Sequence, residues 1–146
     1  MCLIVDENLQ VSINPEPKMV YKVFRKVNGG LWSRFRDLGW AVGQEYTEEI
    51  TESTSRVDFC TVSKIDRLQI KAAYPTYESG ETNPGLKSIV EGLHYCTDLK
   101  TPEELVAGSY EPAEIWECLI PAGAEIIESW GLGVTNKLTV VKPYKP

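Results

Sequence analysis

Apolar and polar residues alternate along much of this chain with a period of two, the pattern of half-buried β-strands, while helical periodicity is scarce. Cys2, Leu3, Ile4 and Val5 form a short apolar run that predicts a buried first strand. A polar connection containing Pro15 and Pro17 leads to Lys18. Residues 20–27 then alternate as a strand, and residues 31–36 read as its partner. Asn28-Gly29 between them is the best short hairpin signal in the chain, because both residue types accept the positive φ of a type I′ turn. Gly39 and Gly43 bracket Trp40, Ala41 and Val42, which reads as a turn and a return to the sheet.

Acidic residues dominate residues 45–52, where Glu48, Glu49 and Glu52 could share a helical face, although so dense an acidic cluster is more often solvent-exposed. Further strands are expected at residues 56–62 and 67–73. Residues 74–88 read as a long loop, interrupted by Pro75, Gly80, Pro84 and Gly85. Loops of that length in a compact domain are functional or disordered. Thr101-Pro102-Glu103-Glu104 is the clearest helix start: Thr101 as cap, Pro102 in the first turn, Glu104 closing a capping box. That helix should end at Gly108. Residues 115–120 form a strong strand, stopped by Pro121 and the Ala122-Gly123 turn, and residues 138–141 supply the last one. The expected fold is α+β and mainly β: a single compact domain of about seven or eight mostly antiparallel strands with one or two short helices.

The length of 146 residues suits one domain with a core that needs no staples. No apolar run is long enough for a membrane-spanning helix, and the opening Met1-Cys2-Leu3-Ile4-Val5-Asp6-Glu7 lacks the pattern of a secretory leader. A cytoplasmic protein without a membrane partner is the expectation. Cys2, Cys60, Cys96 and Cys118 contain no C-x-x-C pair, which favours reduced thiols and disfavours a zinc site. Neither a metal nor a cofactor is implied.

Charge is distributed unevenly. Lys18, Lys22, Arg25, Lys26, Arg34 and Arg36 make the segment 18–36 +6 with no acidic residue. The other nine basic and 21 acidic residues make the remainder −12, so the chain carries −6. Non-specific nucleic-acid binding is disfavoured by that overall sign. Tyr21, Phe24, Trp32 and Phe35 are interleaved with the basic positions. With Asn28-Gly29 as the turn, Val27 faces Gly30 and Arg25 lies opposite Trp32, a cation–π geometry, with Arg34 opposite Val23. With Gly29-Gly30 as the turn, Arg25 would face Arg34, a repulsive pair unless an anion sits between them. Either register makes a basic, aromatic hairpin suited to phosphates and stacked rings. The competing reading is a solvated hairpin that balances an acidic molecule.

Two other places carry reactive groups. His94 and Cys96 are two apart in Gly92-Leu93-His94-Tyr95-Cys96, so on a strand both point to one face. That is not a recognised dyad spacing, and a satisfied, partly buried histidine competes with a catalytic one. Cys2 would become an N-terminal thiol on loss of Met1, against the competing reading of a core cysteine.

Met1-Cys2-Leu3-Ile4, Tyr21-Lys22-Val23, Gly92-Leu93-His94 and Cys118-Leu119-Ile120-Pro121-Ala122-Gly123 occur in this order. Together they resemble a functionally uncharacterised family of small proteins from bacteria and their phages. Such families carry an alanine-rich helix after the Gly-x-His segment, to which only Leu105-Val106-Ala107 corresponds here. The resemblance implies a phage accessory gene of binding type. The leading expectation is therefore a non-catalytic binding protein, a counter-defence factor that occludes a host protein or sequesters a small phosphorylated ligand. Arg25, Trp32, Arg34 and Arg36 are its expected binding residues, with His94 and Tyr95 as outlying candidates. The alternatives are a small enzyme on a nucleotide-type substrate, with His94 as general acid or base, and an interaction module of a larger assembly, which would form oligomers.

Overall fold

The computed structural model describes residues 3–6, 8–33, 38–53, 86–109, 111–129 and 131–145. Among these, thirteen strands and one helix follow in the order β1 (Leu3–Asp6), β2 (Ser12–Ile13), β3 (Lys18–Val27), β4 (Gly30–Ser33), β5 (Gly39–Trp40), β6 (Glu45–Thr47), β7 (Thr51–Ser53), β8 (Leu86–Glu91), β9 (Leu93–Cys96), α1 (Lys100–Ala107), β10 (Ala113–Ile120), β11 (Glu125–Ser129), β12 (Leu132–Thr135) and β13 (Lys137–Pro143). The mainly-β class with antiparallel sheets is as expected. The strand count is higher, because several connections read as polar contain strands of two to four residues. None of the described helices is long and apolar enough to cross a membrane.

The spine is β3 against β10, paired from Ala113↔Arg25 to Ile120↔Lys18. Around it runs a ten-stranded sheet in the order β2-β11-β12-β9-β3-β10-β13-β6, with β4 on β3 and β5 on β4. Strands β1, β8 and β7 form a second sheet. Alternation sorts the side chains into two cores. Val20, Phe24, Leu93, Tyr95, Cys118, Ile120, Leu138 and Val140 line the first, closed at one end by Leu31 and Trp40. Leu3, Val5 and Ile89 of the small sheet meet Cys96, Ile127, Leu132 and Val134 of the large one in the second. Strand β9 thus feeds both cores: Leu93 and Tyr95 enter one, Cys96 the other.

Gly92 is where the chain steps from the small sheet into the large one. Its φ of +127° suits glycine alone, and a Cβ there would sit 2.3 Å from Val134 Cγ1. Its amide donates to the Glu48 carboxylate at 3.2 Å. Buried Asn14 stitches the turn after β10, donating from Nδ2 to the carbonyl oxygens of Ile120 and Pro121 at 3.3 and 3.1 Å.

Four local expectations are corrected. Residues 74–85 lie outside the described set, but Leu86, Lys87 and Ser88 are strand rather than loop, paired with β1 on one side and, at Ser88, with β7 on the other. Lys87 is buried and bridged to Glu52 at 2.9 Å, so its charge did not mark a solvated segment. Glu48, Glu49 and Glu52 share no helix, since β6 and β7 occupy most of that stretch. Helix α1 starts one residue before Thr101. The Asp98 carboxylate accepts the Thr101 N–H at 3.2 Å, so Thr101 is inside the first turn and closes no capping box with Glu104. Strand β12 carries no sequence signal for a physical reason: all four of its residues are buried, so it lacks the alternation of a half-exposed strand. The strands expected at residues 56–62 and 67–73 lie outside the described residues.

Candidate functional site

The β3–β4 hairpin forms in the register that Asn28-Gly29 dictates. Asn28 and Gly29 have φ of +50° and +79°, and the pairs are Val27↔Gly30, Lys26↔Leu31, Arg25↔Trp32 and Phe24↔Ser33. The alternative register, with Arg25 facing Arg34, is excluded. Arg34 and Arg36 lie outside the described residues.

Trp32 has glycine at two neighbouring positions. A Cβ on Gly39, its cross-strand partner in β5, would sit 3.8 Å from the indole Cη2, and one on Gly30 would sit 3.5 Å from Nε1. The indole therefore lies along bare backbone, half-buried, with Arg25 as its other cross-strand neighbour. The Arg25 guanidinium is held in place: Nε donates to the Ser33 carbonyl at 3.0 Å and Nη1 lies 3.6 Å from the Glu111 carboxylate.

Three described residues of the basic run have carboxylate partners in space. Lys18 pairs with Glu128, Arg25 with Glu111 and, at 3.9 Å, Lys26 with Glu114. Glu111 and Glu114 flank the start of β10, the strand that runs antiparallel to β3, so the pairing is a product of the sheet register. At Arg25 and Lys26 the hairpin is compensated by carboxylates, and Trp32 gives it an aromatic face.

Lys22 was not among the sequence candidates. The free edge of β3 forks at this residue: β9 pairs at Tyr21↔Cys96, and β4 begins at Phe24. Lys22 spans the fork, donating from Nζ to the His94 carbonyl at 2.6 Å. Its ammonium lies 5.8 Å from the Phe24 ring centroid and 5.6 Å from that of Trp40. The legible signal was the inward series Val20, Lys22, Phe24, a charge at an apolar position of a strand.

His94 and Tyr95 point to opposite faces of β9. The His94 ring is half-buried, with Nδ1 3.2 Å from the Gly92 carbonyl oxygen. Tyr95 is buried and lies flat on Gly133, its partner in β12, where a Cβ would be 2.4 Å from Cζ. Its hydroxyl is beside the Glu128 carboxylate without reaching hydrogen-bond geometry, and burial, with Glu128 adding to it, raises the phenol's pKa. Arg25 and Trp32 share one face of the hairpin while Tyr95 belongs to the first core, so the sequence candidates do not converge on one pocket.

The two described thiols, Cys96 and Cys118, are not poised for nucleophilic work. Burial pushes Cys96 and Cys118 up to about 12, and Lys22 offsets this only in part. Cys2 and Cys60 lie outside the described residues. Among the described residues, no group of three or more His, Cys, Asp or Glu side chains is placed to hold a metal ion.

Comparison with protein-family models, with curated proteins and with solved structures returns no match.

Proposed function

We propose that this chain is a non-catalytic binding protein that engages its target through the Trp32 face of the β3–β4 hairpin. The observation that carries the reading is the indole of Trp32 laid across Gly30 and Gly39 with Arg25 opposite, a flat aromatic surface in a register fixed by the turn. Aromatic and arginine side chains dominate the energetics of protein contacts, and the pairing of Arg25 with Glu111 and of Lys26 with Glu114 favours a protein surface as target. A small phosphorylated ligand is the second occupant, for which Arg25 would exchange Glu111 for phosphate. Action in a cytoplasm, as an accessory or counter-defence factor of the phage type, fits both.

The test is native mass spectrometry of gently purified protein, followed by affinity capture from host lysate with the wild type and with R25E/W32A. Loss of a retained partner or ligand in a variant with unchanged circular dichroism is the expected result, a cost of about 2 kcal/mol or more. Undiminished retention by the folded double variant would sink the proposal.

A further inference from the structure

The tip of the hairpin combines three features that together make a reactive centre. Asn28 is followed by glycine, both residues are exposed, and a Cβ on Gly29 would meet nothing within 4 Å. The ladder closes on Val27↔Gly30, so the Gly29 amide lies beyond the last rung, in the turn, and no described backbone hydrogen bond uses it. The nitrogen adjoining the Asn28 side chain is thus unshielded by a side chain and uncommitted to the sheet.

The other four asparagines lack this combination. Asn14 and Asn83 precede proline, whose nitrogen carries no hydrogen, and Asn8 and Asn136 precede the bulkier Leu9 and Lys137. Asn136 is further tied by its Oδ1, which accepts the Glu125 N–H at 2.8 Å.

We propose that Asn28 is a site of spontaneous deamidation, which makes the hairpin a time-dependent charge and register switch. The Gly29 backbone nitrogen attacks Asn28 Cγ, giving up its proton to solvent. The new C–N bond forms as the Cγ–Nδ2 bond breaks and ammonia leaves, so a cyclic imide results. Water then opens the imide at either carbonyl. Opening at the main-chain carbonyl gives isoaspartate, and opening at the side-chain carbonyl gives aspartate. No electrons change hands.

The two products act differently on the structure. Aspartate before glycine still suits a type I′ turn and adds one negative charge next to the Lys26 and Arg25 strand. Isoaspartate routes the backbone through an additional methylene, which a two-residue turn has no room for, so the Arg25↔Trp32 register is lost.

The experiment is incubation of the full chain at mildly alkaline pH, followed by intact-mass measurement and peptide mapping that distinguishes the two isomers by backbone fragmentation. Conversion at Asn28 should exceed that at Asn8 and Asn136 by an order of magnitude. It should generate isoaspartate and a more acidic isoform co-migrating with N28D, and be abolished in N28Q. Gly29→Ala should slow it several-fold, with circular dichroism verifying that this variant folds. An unmodified Asn28 after prolonged incubation, or conversion no faster there than at Asn8, would overturn the proposal. This outcome is independent of whether the hairpin binds a partner.

Discussion

Tyr95 and Gly133 show how a single atom governs the first core. The tyrosine ring occupies the space where any other residue at 133 would place its Cβ, 2.4 Å from Cζ. Gly133→Ala therefore overpacks the sheet and should cost about 1–3 kcal/mol in urea denaturation, an effect that Tyr95→Leu in the same chain should partly relieve. Gly92→Ala meets both a positive φ and the Val134 methyl and should be at least as damaging in that assay. The buried thiols give a pH dependence whose sign is determined. Unfolded Cys96 and Cys118 ionise from near their ordinary 9.0, whereas the folded thiols hold their protons to about 12. Between those values the unfolded state binds fewer protons, so stability present below pH 9 should decline as pH rises toward 12. Urea midpoints across that window check this, and Cys118→Ala should flatten the slope. A slope unchanged by the substitution would place the effect elsewhere.

At the scale of elements, the Lys87–Glu52 bridge joins β8 to β7 across the small sheet. Its two ends are unequally exposed: the Lys87 side chain at 3%, that of Glu52 at 36%. Glu52→Gln leaves a buried ammonium without its counter-charge and should destabilise by about 1–3 kcal/mol, less than for a fully buried pair because water reaches the carboxylate side. Lys87→Met leaves Glu52 able to hydrate and should be near neutral. Thermal melts of both variants test the asymmetry, and equal losses would contradict it. Lys22 is the corresponding device in the large sheet, where its ammonium takes the place of a backbone donor at the fork between β9 and β4. The hairpin's register was legible in advance, since a two-residue Asn-Gly turn sets its own register locally. The fork was not, since nothing near Lys22 in sequence announces that β9 arrives seventy residues later.

For the molecule as a whole, strand β9 links the two cores through alternate side chains, and β12 contributes Leu132 and Val134 to the second while Gly133 seats Tyr95 of the first. Loss of either core should therefore unfold both. Leu138→Ala in the first core and Leu3→Ala in the second should each lower one common transition by about 2–5 kcal/mol, followed by tryptophan fluorescence and circular dichroism together. Two separated transitions would refute the coupling.

The sequence by itself determined what depends on near neighbours. Alternation marked β3 and β10, positive-φ residues placed the hairpin turn, Pro121 stopped β10, and Gly108 ended α1. The sum of the elements so marked favoured a mainly-β domain. Tertiary structure decided what depends on residues far apart in the chain. Burial on both faces erased the alternation of β12, and Asp98 rather than Thr101 supplied the bond to the helix's first turn. Above all, the antiparallel return of β10 set Glu111 and Glu114 beside Arg25 and Lys26. Among the described residues of the basic run, Lys18, Arg25 and Lys26 gained carboxylate partners, because electrostatic interaction falls with distance in space and takes no account of separation along the chain.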